Sequence, residues 1–280
     1  MFYKALSPGS LGHGELTFMQ AAPMAAACGY EGYWFNPVTD FEGDPAKTRA
    51  VLQKYNLKPA GCNLPVEYRK DEETYQADMA LLPQRVAFAR AIGITRFMTW
   101  IVPFSNELTF DENMARHARR LRPACELLKE NGITLGLEFQ GPPKLRIGVK
   151  HEFVYNLDGI LALGEAIGTG NCGVILDSWH WDMAGQVFAD FDKITYPGMA
   201  VAAHITDAPA NVPIEEQEDL LRRLPGTTGI INIEAFFAGL KKIGFDGPVI
   251  VEPFEAFLSQ IPAEEALRIG MKAMRHVWPD

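Results

Sequence analysis

Apolar residues recur along this chain in two alternating rhythms. Short continuous runs, such as Leu-Gly-Leu before Glu138, Val-Ile-Leu before Asp177, Val-Ala-Ala before His204 and Val-Ile-Val before Glu252, have the length and composition of buried strands. Between such runs lie segments whose apolar residues advance by steps of three and four. Tyr75, Met79, Leu82, Val86 and Ala89 mark one helical face. Met114, Ala118, Leu121, Cys125 and Leu128 mark another, which Asn131 and Gly132 bring to a stop. Asp44 and Pro45 supply an N-cap and a first-turn proline for a helix that ends before Asn56. Residues 233–243, closed by Gly244, and 262–276 supply the last two helices. Pro83 and Pro123 fall inside helical patterns and are expected to kink them.

Strands predicted to end near Leu6, Trp34, Asn63, Trp100, Glu138, Asp177, His204 and Glu252 alternate with these helices, with no linker, repeat or low-complexity stretch between them. Eight strand–helix units predict an α/β fold, a (β/α)8 TIM barrel forming a single domain over residues 1–280. A length of 280 residues suits that fold, and 48% hydrophobic with 22% charged residues is the composition of a soluble globular protein. The formal net charge of −9 argues against nucleic acid as a partner, since that affinity rests on Lys and Arg neutralising phosphates. No basic stretch followed by an apolar one opens the chain, and no apolar run approaches the roughly 18 residues of a membrane span. Cys28, Cys62, Cys125 and Cys172 are scattered without a Cys-x-x-Cys pair. They read as free thiols in a reducing compartment, so a cytoplasmic location is expected.

Candidate chemistry gathers at the strand ends. Taken singly, Glu138 and Glu252 could be salt-bridge partners, Asp177 could cap the helix that follows, and His204 could be a satisfied core histidine. Taken together, at four consecutive strand ends, they converge on one rim of the barrel. Three carboxylates and one imidazole form a good shell for a divalent ion, and such a cluster is costly to bury without a cation. An oxygen-rich set with one nitrogen favours Mn²⁺ first, with Mg²⁺, Co²⁺ or Zn²⁺ as alternatives. His180 follows Asp177 by one helical turn and is a candidate substrate contact. The stretch from 205 to 231, with its acidic run Glu215 to Asp219 and the turn Pro225 to Gly229, is expected to form a substrate loop.

The segments Gly136 to Pro142, Val174 to His180, Ala203 to Asp207, Pro225 to Gly229 and Val249 to Phe254 carry a family resemblance. The chain resembles the sugar-phosphate isomerase/epimerase superfamily, the xylose isomerase-like TIM barrels, and in these stretches it is similar to the ketoinositol isomerases. The resemblance implies Glu138, Asp177, His204 and Glu252 as metal ligands, with Glu138 and Glu252 also the paired acid/base residues. It implies a small polyhydroxy ketone as substrate, isomerised or epimerised through an enediolate, and assembly as a homodimer or homotetramer. Related dehydratases would instead expel a β-hydroxyl, with His180 or His13 as the acid. The DNA-repair members use further histidines on earlier strands, where this chain has Cys62–Asn63 and Thr99–Trp100. Gln140–Gly141–Pro142 lacks the asparagine that often follows the first glutamate in ketose 3-epimerases. Asn63, Trp100, His180 and Arg223 are the expected substrate contacts, with Trp34 and Phe35 adding aromatic character. Arg222, Arg223, Arg146 and Lys144 could meet a phosphate, but each reads first as an ordinary surface cation.

Overall fold

Eight parallel strands close into one barrel in the computed structural model, which describes residues 1–279. In chain order they are β1 (Tyr3–Leu6), β2 (Gly32–Phe35), β3 (Lys58–Asn63), β4 (Arg96–Ile101), β5 (Thr134–Phe139), β6 (Cys172–Asp177), β7 (Ala200–Ile205) and β8 (Pro248–Val251). Each pairs with its neighbours in sequence, and β1 closes the ring against β8. The expected strand ends hold to within one residue, most plainly where a polar residue such as Asn63, Glu138, Asp177, His204 or Glu252 ends an apolar run at the rim.

Helices α1 (Phe18–Cys28), α2 (Pro45–Tyr55), α3 (Glu72–Ile92), α4 (Phe110–Glu130), α5 (Leu157–Ile167), α6 (Ser178–Met183), α7 (Ile233–Lys242) and α8 (Ala263–Val277) follow the strands. Asp44 caps α2 by accepting from the Ala46 N–H at 2.8 Å, and Asn56 ends it in a left-handed conformation, φ 52°. Both α3 and α4 continue as single helices through Pro83 and Pro123. Each proline forgoes one helical hydrogen bond, which the buried apolar face on either side outweighs. One core layer lies between strands and helices. A second fills the barrel interior with Ala5, Ala60, Met98, Ile175, Val201 and Ile250. All four cysteines are free. The fold brings two of them together, Cys125 of α4 and Cys172 of β6, with sulfurs 3.6 Å apart.

The stretch from 205 to 231 has no long element of its own, only two short 3-10 turns at Ile214–Glu216 and Asp219–Leu221. Asp207 ties it down. Its backbone forms an antiparallel bridge with Arg223, with N–H···O distances of 2.9 Å in both directions. Its carboxylate accepts the N–H groups of Thr228, Gly229, Ile230 and Ile231 at 2.8–3.1 Å. Burial opposes ionisation of Asp207, but these donors outweigh it and hold the carboxyl below its ordinary pKa. Two motifs twenty residues apart in sequence are thus one folded unit.

Gly136 occupies an interior position of β5, where an added Cβ would lie 2.5 Å from Ile175 Cδ1 and 2.9 Å from Val201 Cβ. Gly136→Ala is expected to destabilise the fold by about 1–3 kcal/mol through overpacking. Urea unfolding measures this, and an unchanged midpoint would mean that the Ile175 side chain can move aside freely.

Candidate active site

Strand register sets the site. Asp177 at the end of β6 pairs with His204 of β7, and His204 pairs with Ile250 of β8. Glu252 follows just past β8, its N–H donating to the Ile205 carbonyl at 3.3 Å. Glu138 of β5 pairs with Trp100 of β4. Side chains alternate along a strand, so Glu138 and Asp177 face inward while Phe139 and Leu176 pack outward.

The four side chains converge. His204 Nδ1 lies 3.0 Å from Glu138 Oε1, 3.1 Å from Glu252 Oε2 and 3.7 Å from Asp177 Oδ2. One ligand atom from each residue falls within 4.8 Å of all the others. Ligands on one ion at bond lengths of about 2.0–2.3 Å lie at most about 4.6 Å apart, so a small closure completes a coordination sphere. Glu138 Oε1 and His204 Nδ1 are buried and make no hydrogen bond of good geometry despite their proximity. Both atoms behave as ligands aimed at a common third centre. The donor set and its orphaned atoms fit a divalent cation.

Asp177 serves the fold and the site at once. Its Oδ1 caps α6 by accepting the N–H groups of Trp179 at 2.8 Å and His180 at 2.9 Å, while Oδ2 faces the cluster. One carboxylate therefore caps the helix and contributes to the candidate metal cluster.

A residue read as a surface cation completes the site. Arg222 is 1% exposed. Its Nη1 donates to Asp177 Oδ2 at 2.8 Å and Glu252 Oε2 at 3.3 Å, and its Nη2 pairs with Asp219 and lies 2.9 Å from His180 Nε2. The guanidinium lies over the Trp179 ring at 4.7 Å and the Phe254 ring at 5.2 Å. Arg223, the expected substrate contact, does not reach the cavity. Its guanidinium donates to the carbonyls of Leu221 and Arg222. The bridge with Asp207 fixes the backbone at Arg223 and turns its predecessor inward, which sequence alone does not reveal.

Electrostatics follow from burial and charge crowding. Burial, with Glu252 and Asp177 nearby, pushes the Glu138 carboxyl up to about 7 against the pull of His204. Burial would raise Asp177 too, but Arg222, His180 and His204 hold it down to about 2. Burial disfavours the charged form of His204, yet Glu252 and Glu138 overcome this and raise its pKa well above the ordinary value. Burial, then Arg222, brings His180 down to about 4.

The cluster floors a cavity of about 400 Å³, lined among others by Glu138, His204 and Glu252. His180, Asn63 and Trp100 all line it, as does Trp34. Phe35 does not. It lies on the outward face of β2, packed against Phe18 and Tyr33. The 205–231 stretch contributes Asp219, Leu220 and Arg222. Trp179 is buried beneath Arg222, and Trp181 stacks on Phe191 at 4.4 Å, so both belong to the core. His13 is buried away from the cavity, its Nε2 bonded to the Leu258 carbonyl at 3.0 Å. Gln140 and Ser10 also line the cavity. For Gln140 the signal was its spacing of two from Glu138, which places both on one face of an extended chain.

Removing Arg222 leaves Asp177, Glu252 and Asp219 without their buried counter-charge. Arg222→Met is expected to lower stability in the presence of EDTA by about 3–5 kcal/mol, with Mn²⁺ restoring part of the loss by binding the folded state alone. Urea unfolding with and without metal tests this. Equal stability of variant and wild type in EDTA would remove Arg222 as the compensating charge.

Comparison with known proteins matches residues 23–277 to the family described as xylose isomerase-like TIM barrel. An inosose isomerase from Halalkalibacterium halodurans is 26% identical over 221 residues, 78% of this chain and 74% of that protein. A xylose isomerase domain protein from Alicyclobacillus acidocaldarius superimposes with a TM-score of 0.85 at 26% identity, covering 99% of this chain and 98% of that one. The IOLI protein, crystallised with a bound zinc atom, superimposes with a TM-score of 0.81 at 18% identity, with coverage of 99% and 98%. With its eight-stranded barrel and its buried Glu-Asp-His-Glu cluster, this chain belongs to the xylose isomerase-like TIM barrel family.

Proposed function

We propose that this protein is a divalent-metal-dependent isomerase or epimerase of a small polyhydroxy ketone, a keto sugar or ketoinositol. The observation that carries the reading is the convergence of Glu138, Asp177, His204 and Glu252 at the floor of a cavity. The inosose isomerases among its relatives support a ketoinositol in particular.

A divalent ion bound by these four residues supplies electrophilic polarisation of a substrate carbonyl and acidifies the adjacent C–H. Glu138 and Glu252 enter the cavity from β5 and from the end of β8, so they flank a substrate lying above the cluster. One carboxylate takes the proton from the carbon beside the carbonyl, and the C–H electron pair becomes the enediolate π bond. The other returns a proton. Delivery to the opposite face of the same carbon epimerises it, while delivery to the former carbonyl carbon, with the hydroxyl proton passing from the neighbouring oxygen to the old carbonyl oxygen, relocates the carbonyl. Ser10 Oγ, 3.4 Å from Glu252 Oε1, helps to orient that carboxylate. His180 and Arg222 stand beside the cluster and fix its carboxylates in place, and Trp34 with Trp100 walls the opposite side.

Dehydration would need an acid beside the leaving hydroxyl. Both ring nitrogens of His180 already face N–H groups, Gly141 N at 3.3 Å and Arg222 Nη2 at 2.9 Å, and His13 is turned away. That geometry supports isomerisation over elimination.

Proton NMR in D₂O, with Mn²⁺-loaded protein and a panel of inosose and ketoses, is expected to show deuterium entering beside the carbonyl with the hydroxyls retained. EDTA should abolish the exchange, and Glu138→Gln should slow it by about 10²-fold or more. Vinylic signals with loss of water would move the protein to the dehydratases, and silence across the panel would sink the proposal.

A further inference from the structure

We infer that Gln140 and Asn63 form a pair of carboxamides that reads hydroxyl groups of an uncharged polyol on the cavity wall remote from Glu252. This inference rests on the proposed function and narrows it to a substrate without phosphate or carboxylate.

Gln140 is 7% exposed and lines the cavity, yet its carboxamide makes no hydrogen bond within the described residues. Its amide nitrogen and oxygen open onto the cavity with no protein partner, so both a donor and an acceptor are free for a ligand. Its backbone is pinned. Gly141 N–H donates to His180 Nδ1, and a Cβ at Gly141 would fall 2.1 Å from the His180 carbonyl oxygen. The chain therefore runs tight against α6 at this point, and Gln140 has little freedom to turn away.

Asn63 is oriented by a neighbour. Trp34 Nε1 donates to Asn63 Oδ1 at 2.8 Å. An indole N–H can only donate, so the amide oxygen faces Trp34 and the NH₂ group is left for the cavity. Trp34 is itself fixed against Gly61, where an added Cβ would lie 2.3 Å from the indole Cζ3. Both amides are thus presented in set directions, Asn63 from β3 and Gln140 from just past β5.

Charge on the cavity wall points the same way. Glu138, Asp219 and Glu252 line the cavity, no lysine does, and the one lining arginine, Arg222, is already committed to Asp177, Asp219 and Glu252. Among the described residues of the lining, a phosphate would meet no uncommitted cationic side chain, whereas neutral hydroxyls would meet two amides.

Calorimetric titration of the Mn²⁺-loaded protein with myo-inositol and with myo-inositol monophosphate tests the inference without turnover. Wild type is expected to bind inositol about tenfold or more tighter than the monophosphate. Gln140→Met and Asn63→Leu, each checked for native circular dichroism and bound manganese, should each weaken inositol binding by about three- to tenfold, the worth of one neutral hydrogen bond. If one variant fails to fold, the other carries the test. Wild-type affinity in a folded variant, stronger binding of the monophosphate, or no binding of inositol by wild type would each overturn the inference. Isotope exchange is scored separately. Amide-dependent binding without exchange would sink the isomerase reading and leave this one standing.

Discussion

Three carboxylates from β5, β6 and the end of β8 share a space a few ångströms across, beneath a cavity and largely out of water. Left alone, their mutual repulsion and lost hydration would cost several kcal/mol per charge. The chain answers with His204 in their midst and Arg222 against two of them, and the four convergent ligand atoms leave room for a cation to do the rest. Much else follows from this one demand. Arg222 must be buried and aimed inward, so Asp207 anchors the loop that carries it. Against burial, Asp177, Asp219 and Glu252 favour its charged form, and Trp179 and Phe254 present aromatic faces to it. Phe254 holds its place at φ 48°, a left-handed conformation unusual for a bulky residue.

The two halves of the rim divide the work. β5 to β8 supply the charged cluster, where the crowding of three carboxylates dictates the polarity. β2 to β4 supply Trp34, Asn63, Met98 and Trp100, an aromatic and amide wall whose composition is free to vary without disturbing the cluster. Changes on the first half alter the shape and polarity of the cavity wall, while changes on the second alter the balance of buried charge. Gln140 stands at the seam, two residues past Glu138 on the same strand extension.

How much of this was legible in the sequence depended on range. Strand ends were readable because an apolar run that stops at a polar residue reports a local event, the emergence of the chain at the rim. The helix at Pro45–Tyr55 was readable because Asp44, Pro45 and Asn56 act within a turn of themselves. The convergence of Glu138, Asp177, His204 and Glu252 was readable because four such local events recur at barrel spacing. Arg222 was not. Whether an arginine in an irregular loop is buried depends on a carboxylate fifteen residues earlier, whose own partners lie beyond it at Thr228 to Ile231. Nothing within a few residues distinguishes Arg222 from Arg223. Pro83 and Pro123 lie inside helices that run on past them, as expected, because long buried faces carry the chain through.

Asp177 shows why the site and the fold cannot be separated. The same carboxylate ends β6, caps α6, accepts from Arg222 and faces His204. As a cap it fixes where α6 begins, and α6 in turn carries His180 to the cavity and Trp179 beneath the guanidinium. A helix of only six residues has little stability of its own. Its place is held by the cap at one end and by the burial of Ser178 through Trp181. An amide at position 177 could still cap the helix, since a carbonyl oxygen accepts the same N–H groups. It could not balance Arg222 or complete the anionic shell. The residue type at 177 is therefore set by the charge of the cluster rather than by the helix it starts, and the cap is the lesser of its two demands.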